Sequence, residues 1–426
     1  MTSIKEWLVS EKISASLNKI VPLLMCVFLF FNPVPYVTSI KEICFYVSVA
    51  IVLGLVYFRK TEFSFRTPLT LPFALFVIWS FLGLFSALNI MGSIHDFYSH
   101  LLKYLIYYYI LINFIKSRKQ IIALTWIVII STAFFYMGVL LYYYVIIGAP
   151  LSQRLGLNMV QLQTNLMGVV CLFAIVFSLH HLSLKPELPA GIFLSFCLFW
   201  CILAVVMTQT RSALLGMILG ATVLFAKNKK VLVSMFVIFT LLIVLTPLKD
   251  RFSVETVLFN ERIGISLASM ELIKAYPLFG IGFSMETYQD RDFMKAYYDR
   301  VPRGTLETPN RAFHIYQDPN NILFDVAIRT GIIGFGLFCF IIVRFARMGW
   351  TLIRQGRDPF IRNWGLCLMA AFAGYFTQGM FEPTLYGSSA IVLYTILAMT
   401  TILWRQHETD HQQAGESEAG NGISAS

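Results

Sequence analysis

Residues 188–226 read LPAGIFLSFCLFWCILAVVMTQTRSALLGMILGATVLFA, and Arg211 is the only charge among them. A helix needs about 20 apolar residues to cross the hydrocarbon of a bilayer. The stretch therefore reads as two membrane helices meeting at a tight turn around the lone arginine. Outward from it the pattern repeats. Uncharged or nearly uncharged runs lie at 20–36, 43–58, 70–92, 104–115, 120–148, 164–179, 188–210, 212–226, 231–248, 331–343, 363–381 and 383–404. Apolar residues make up 57% of the 426 positions and charged residues 13%, half of what a soluble domain carries. An outer-membrane barrel would instead show alternating segments of about ten residues. The fold class is all-α: a polytopic helical membrane protein of about twelve spans, with 104–115 and 331–343 borrowing flanking residues.

The net charge of +10 invites a nucleic-acid partner, but the basic residues sort by side. With the N-terminus placed in the cytoplasm, the inner segments hold nineteen Lys and Arg: residues 5, 12, 19, 59, 60, 66, 116, 118, 119, 185, 227, 229, 230, 344, 347, 354, 357, 362 and 405. The short outer connections hold four: Lys41, Lys103, Arg154 and Arg211. Positive charge retained on the cytoplasmic side selects this orientation, with both termini inside. The start MTSIKEWLVSEKISASLNK is polar and leads into a full span, so no cleavable signal is expected. The seven cysteines all fall in spans and form no C-x-x-C, so neither a disulfide nor a zinc site is expected.

The chain then divides into 1–248 with nine spans, an outer loop at 249–320, three spans at 321–404, and a polar, Gly/Ser-rich tail at 405–426 expected to be disordered. The loop carries 19 charged residues in 72 positions, too many and too long for a connector. ERIGISLASMELIKAYPLFGIGF predicts a helix of about 15 residues stopped by Pro277, Gly280 and Gly282. Ile263, Leu267, Met270 and Ile273 recur at helical spacing and predict a face that lies on the membrane or on the bundle. A second short helix is predicted at 290–300. The whole reads as a lid over an external opening.

Arg211 is the sharpest chemical signal. A cation at the start of a helix sits at the positive end of the dipole, which is unfavourable without an anion. Arginine within a bilayer is also costly enough to mark a site by default. A phosphate or pyrophosphate would satisfy Arg211, Thr208, Thr210 and the helix N–H groups together; the plain alternative is an arginine among lipid headgroups. Arg262 opens the loop helix and completes a two-arginine clamp, or else pairs on the surface with Glu261 or Asp250. His314, the only loop histidine, is a candidate general base with a pKa near neutrality, or a surface residue. Asp318 is a carboxylate alternative for that role. His95 and His100, in the 93–100 connection, are weaker candidates on the same side. Asn320 and Asn321 lead into the tenth span, where ordinary capping by Asn320 and an i,i+4 pair of Asp325 with Arg329 explain much of the pattern. Arg154 and Asn165, in the outer loop before the sixth span and at its start, are candidate sugar or phosphate contacts.

Three motifs occur in order: T-Q-T-R-S-A at a helix start, E-R-I with a helix ending in Y-P-L-F-G-I-G, and P-N-N-I-L-F-D-V-A-I-R-T-G-I-I-G. Over about 205–345 this resembles the O-antigen ligase family, part of a group that also holds O-antigen polymerases. The resemblance implies a GT-C-type membrane glycosyltransferase of the bacterial inner membrane, metal-independent and inverting, acting at the periplasmic face without a cofactor. Its donor would be a glycan on undecaprenyl diphosphate and its acceptor a sugar hydroxyl of lipid A–core. The family's diphosphate-holding arginines match Arg211 and Arg262. The family pattern has His-Asn before the run to T-G-I-I-G, whereas this chain has Asn320-Asn321; the base is then His314, six residues earlier, or Asp318.

The competing functions are a polymerase that joins lipid-linked repeat units and a transporter of lipid-linked glycan. Transporters show repeats and paired broken spans with polar groups near the midplane. Neither is seen, and the polar inventory lies on the outer side, so one-sided chemistry fits better.

Overall fold

The computed structural model describes residues 11–155, 164–245, 261–300 and 319–423. Among them there is helix and turn but no strand, and the helical membrane class follows. In chain order the helices are α1 Glu11–Phe30, α2 Thr38–Tyr57, α3 Thr70–Gly83, α4 Ile90–Phe97, α5 Lys103–Phe114, α6 Arg118–Leu140, α7 Thr164–Ser183, α8 Leu188–Thr208, α9 Arg211–Leu224, α10 Lys229–Leu245, α11 Glu261–Ala275, α12 Arg291–Tyr298, α13 Ile322–Gln355, α14 Pro359–Gly379 and α15 Gly387–Ile423. Among the described residues each of the twelve apolar runs overlaps helix, with 70–92 divided between two. Six helices are long and apolar enough to cross a membrane, and Thr70–Ser86, Met167–Ser183 and Arg211–Leu224 are apolar but shorter.

Several boundaries differ from the sequence reading. The 70–92 run is two elements, because α3 gives way to a 3₁₀ turn at Leu84–Ser86 and Asn89 caps α4 by accepting from the Gly92 N–H at 2.9 Å. The 93–100 connection is helical, since α4 passes through a π-turn at Tyr98–Leu102 directly into α5. Asn321, not Asn320, caps α13, its Oδ1 accepting from the N–H groups of Leu323 and Phe324. The tail expected to be disordered continues α15 to Ile423. A packed span nucleates that helix, and residues such as Gln and Ala lose little in continuing it.

The two ends of the bundle are closed by different polar contacts. At one end Arg405 donates to the carbonyls of Ile112, Ser64 and Arg66, Arg118 pairs with Asp358, and Gln406 donates to the Lys116 carbonyl. At the other end Lys103 pairs with Glu42, Asn32 donates to the Ser388 carbonyl, and Asn321 donates to the Met380 carbonyl. The inner bundle combines buried side-chain hydrogen bonds, such as Tyr107 with Thr395 and Tyr108 with Thr401, with close helix contact. A Cβ on Gly216 would lie 2.6 Å from the Gly374 carbonyl, and one on Gly374 would lie 2.6 Å from that of Gly216. Small residues thus bring α9 and α14 backbone to backbone, as membrane helices do where apolar burial alone gives no preference.

The described part of the loop is ordered on its own small core: Ile265, Ala268, Leu272, Ile281, Tyr288, Met294, Tyr297, Tyr298 and Ile328. Of the predicted face, Leu267 and Ile273 pack against this core, and small residues complete it. Gly264, Ile265, Ala268, Ser269 and Leu272 are buried, whereas Met270 is 44% exposed. Close approach selects the small residues, which hydrophobicity alone does not rank. Burial and a hydrogen bond with Tyr276 push the Tyr297 hydroxyl up to about 12.

The helix α13 breaks at Gly331 (φ 69, ψ −175), and the Y-P-L-F-G-I-G segment fills the break. The Ile281 N–H donates to the Ile328 carbonyl at 2.8 Å, the Ile332 N–H to the Pro277 carbonyl at 2.8 Å, and the Trp79 indole to the Thr330 carbonyl at 2.9 Å. These bonds satisfy groups that a helix interruption otherwise leaves exposed. Gly280 (φ +71) and Gly331 are both required: an added Cβ would meet the Ile328 carbonyl at 2.2 Å and the Leu278 carbonyl at 1.9 Å respectively. Gly331→Ala is expected to cost at least ~2 kcal/mol in strain and displacement, seen as a lowered melting temperature in detergent. Gly336→Ala, with nothing within 4 Å of the added carbon, should leave it unchanged.

Candidate active site

The turn predicted around Arg211 is present and sharp. α8 ends at Thr208, Gln209 adopts the left-handed conformation (φ 50, ψ 34), and Thr210 is extended before Arg211 opens α9. The Thr210 side chain does not cap the helix; its hydroxyl donates to the Thr208 carbonyl at 3.3 Å. The first-turn N–H groups of α9 and the half-buried Arg211 therefore share one corner.

A second arginine reaches the same corner. Arg154 donates from Nε to the Thr208 carbonyl at 2.7 Å, and its Nη2 lies 3.5 Å from the Thr210 hydroxyl. The loop that carries it is strapped down. The Leu155 N–H donates to the Met207 carbonyl at 2.9 Å, Gln209 to the Ser152 carbonyl at 3.3 Å, and the Tyr144 hydroxyl to the Gln153 carbonyl at 2.8 Å. Behind the corner, Gly168 admits Ala213 and the buried Gln378: a Cβ on Gly168 would lie 2.5 Å from the Ala213 Cβ and 3.1 Å from the Gln378 Nε2. The Arg154 guanidinium, Arg211 at the helix start and the helix N-terminus thus meet at one turn, the kind of place where an anion is favoured.

The other sequence candidates divide. Arg262 stands in the first turn of α11, and its side chain lies outside the described residues. His314 and Asp318 also lie outside them. Asn320 is half-buried in the bend before α13, and Asn321 joins that bend to the end of α14.

Asp325 and Arg329 form the expected i,i+4 pair, at 2.9 Å, but it is not a surface pair. They are 1% and 3% exposed. Tyr386 donates to the second carboxylate oxygen of Asp325, and the Arg329 guanidinium lies 4.4 Å from the Tyr386 ring. Arg329 also donates to the Phe283 carbonyl at 2.8 Å, which ties the end of the glycine segment to α13. His100 packs its ring edge-on to Tyr386, with centroids 5.3 Å apart. Asp96 lies between His95 at 3.0 Å and His100 at 3.7 Å, and accepts from the Met285 N–H at 2.9 Å. Below this cluster lies a cavity lined by Phe73, Phe76, Phe338, Phe345 and Phe372. The ion pair is thus the polar end of an apolar space, and it holds loop, α13 and α15 in register.

The sequence reading passed over Glu382. It is the only charged residue between Arg362 and Arg405, and it is 3% exposed in the turn between α14 and α15. The criterion that singled out Arg211 applies to it equally.

Residues 196–339 match the family model described as O-antigen ligase. Over that third of its length the chain is similar to the O-antigen ligase domain. The match begins within α8 and runs through the Arg211 corner, the loop helix and the Gly331 break, so it takes in all three motifs quoted above. No curated protein matches the chain significantly. The O-antigen ligase domain sets the general class of chemistry as ligase- or polymerase-type glycan assembly. Within it, Asp325→Asn or Arg329→Gln removes one partner of a buried pair and is expected to cost ~3–5 kcal/mol. The double variant should lose less than the sum, read as melting temperatures in a double-mutant cycle.

Proposed function

We propose that this chain is a membrane glycosyltransferase of the O-antigen ligase type, moving a glycan from undecaprenyl diphosphate to a sugar hydroxyl of lipid A–core. The observation that carries the reading is the convergence of Arg154 and Arg211 on the turn that opens α9. A leaving diphosphate gains negative charge as the anomeric C–O bond breaks, and fixed cationic donors at that point stabilise the transition state more than the ground state. Arg262 is the third cation in this reading, brought by the loop helix.

The acceptor oxygen attacks the anomeric carbon, the bond to the diphosphate oxygen breaks, and the acceptor proton passes to His314 or Asp318. A single displacement inverts the anomeric centre. The reading places the reaction at the periplasmic face of the bacterial inner membrane, with twelve crossings, both termini cytoplasmic and membrane lipids as the surroundings. It needs no metal, cofactor or nucleic acid.

Purified protein incubated with lipid-linked glycan, with and without lipid A–core, tests the reading on a lipopolysaccharide gel. Glycan on lipid A–core is the expected product. Lengthening of the lipid-linked glycan alone would make the chain a polymerase, and neither product, with competent substrates, would favour transport. Arg211→Ala and Arg154→Ala should each lower turnover by ~10²–10³, and full activity in Arg211→Ala would sink the clamp. His314→Ala against Asp318→Ala identifies the base: loss of turnover with donor binding retained marks the group that takes the proton.

A further inference from the structure

At the opposite end of the bundle, residues 407–411 of α15 read H-E-T-D-H. Histidines four apart lie on one face of a helix, and this spacing is the one with which a single helix offers two imidazoles to a metal ion. Cysteine spacing, on which the sequence reading excluded a zinc site, does not detect it.

The geometry is specific. The two Nε2 atoms face each other at 3.1 Å, with ring centroids 4.4 Å apart. Zinc–nitrogen bonds of 2.0–2.1 Å at a tetrahedral angle separate two imidazole nitrogens by about 3.3 Å, so a shift of a few tenths of an ångström admits the ion. His407 is 6% exposed, and its imidazole is hydrogen-bonded to the backbone of Gln355 as well as to His411. A backbone bond on one ring nitrogen fixes the tautomer and ring orientation and leaves the other nitrogen to face a metal ion. The His407–His411 pair shares one N–H between two nitrogens; an ion entering between the rings displaces that proton, and both Nε2 lone pairs then ligate it.

The surroundings permit a cation. Arg405, one turn away, is turned onto three backbone carbonyls. Glu408 and Asp410 are exposed on the same two turns. The pair opens onto a crevice lined by Ser64, Thr351, Gln355 and Gln412, which leaves room for water ligands.

We propose that His407 and His411 bind one divalent transition-metal ion of the zinc class through their Nε2 atoms, with water completing the coordination. Among the described residues no group of three or more His, Cys, Asp and Glu could hold a metal. The site therefore lacks the third ligand of a hydrolytic zinc centre, and its role is to bind rather than to cleave. Bridging one turn, the ion stiffens the end of α15 at which Arg405 holds α5 and the segment after α2. The site stands apart from the Arg154–Arg211 corner and does not depend on the glycosyltransferase reading.

The test uses the full chain in detergent, purified through a tag without histidine. Zn²⁺ is titrated by calorimetry and Cu²⁺ binding is followed by electron paramagnetic resonance. The expected result is one ion per chain, a copper spectrum showing nitrogen ligation, and affinity at least ~10-fold weaker in His407→Gln and His411→Gln. His411 is exposed, so His411→Gln keeps the test valid if the buried substitution fails to fold. Binding of unchanged affinity in His411→Gln, or no stoichiometric binding to the native chain, would overturn the proposal.

Discussion

The structure turns on the break in α13. A helix entering a membrane cannot stop for a residue without leaving carbonyl and amide groups to be satisfied, and water is not at hand to do it. Here the chain brings those partners from far away in sequence. The Pro277–Phe283 segment supplies one donor and one acceptor, and the Trp79 indole supplies another donor. Since Gly280 and Gly331 approach each other's backbone too closely for a side chain on either, the two motifs are halves of one joint. Everything that follows the loop helix is positioned by it.

From that joint the polar network extends in two directions. Arg329 reaches back to the Phe283 carbonyl and across the ring of Tyr386, so the loop, the tenth apolar run and the last helix share one buried charge. Asp96 and Ser93 on α4 hold the next residues, accepting from Met285 and Ser284. A buried ion pair is weak evidence of stability but a good device for fixing register. In this chain three segments meet over an apolar cavity, where hydrophobic contact alone would let them slide.

Much of this was legible in the sequence, and the limits have physical causes. Length and the absence of charge identified twelve runs, because a membrane span is a local property of the chain. Arg211 stood out because one charge among 39 residues is expensive, and Glu382 stood out by the same measure but was not read. Arg154 gave no such signal. Its importance lies in bonds to Thr208 and Thr210, more than fifty residues away, which no window of sequence contains. The face of α11 was legible only in part for a related reason: glycine, alanine and serine are invisible to hydrophobicity, but they determine how near two backbones come. The same holds for the Asp325–Arg329 pair, whose spacing is evident while its burial is not.

The contact between Gly216 and Gly374 has a consequence for how such a protein diversifies. With two backbones in mutual contact, the floor beneath the Arg211 corner has almost no room for substitution, whereas the strap carrying Arg154 rests on a few bonds between loop and turn. Substitutions are therefore accommodated at the rim far more readily than in the floor.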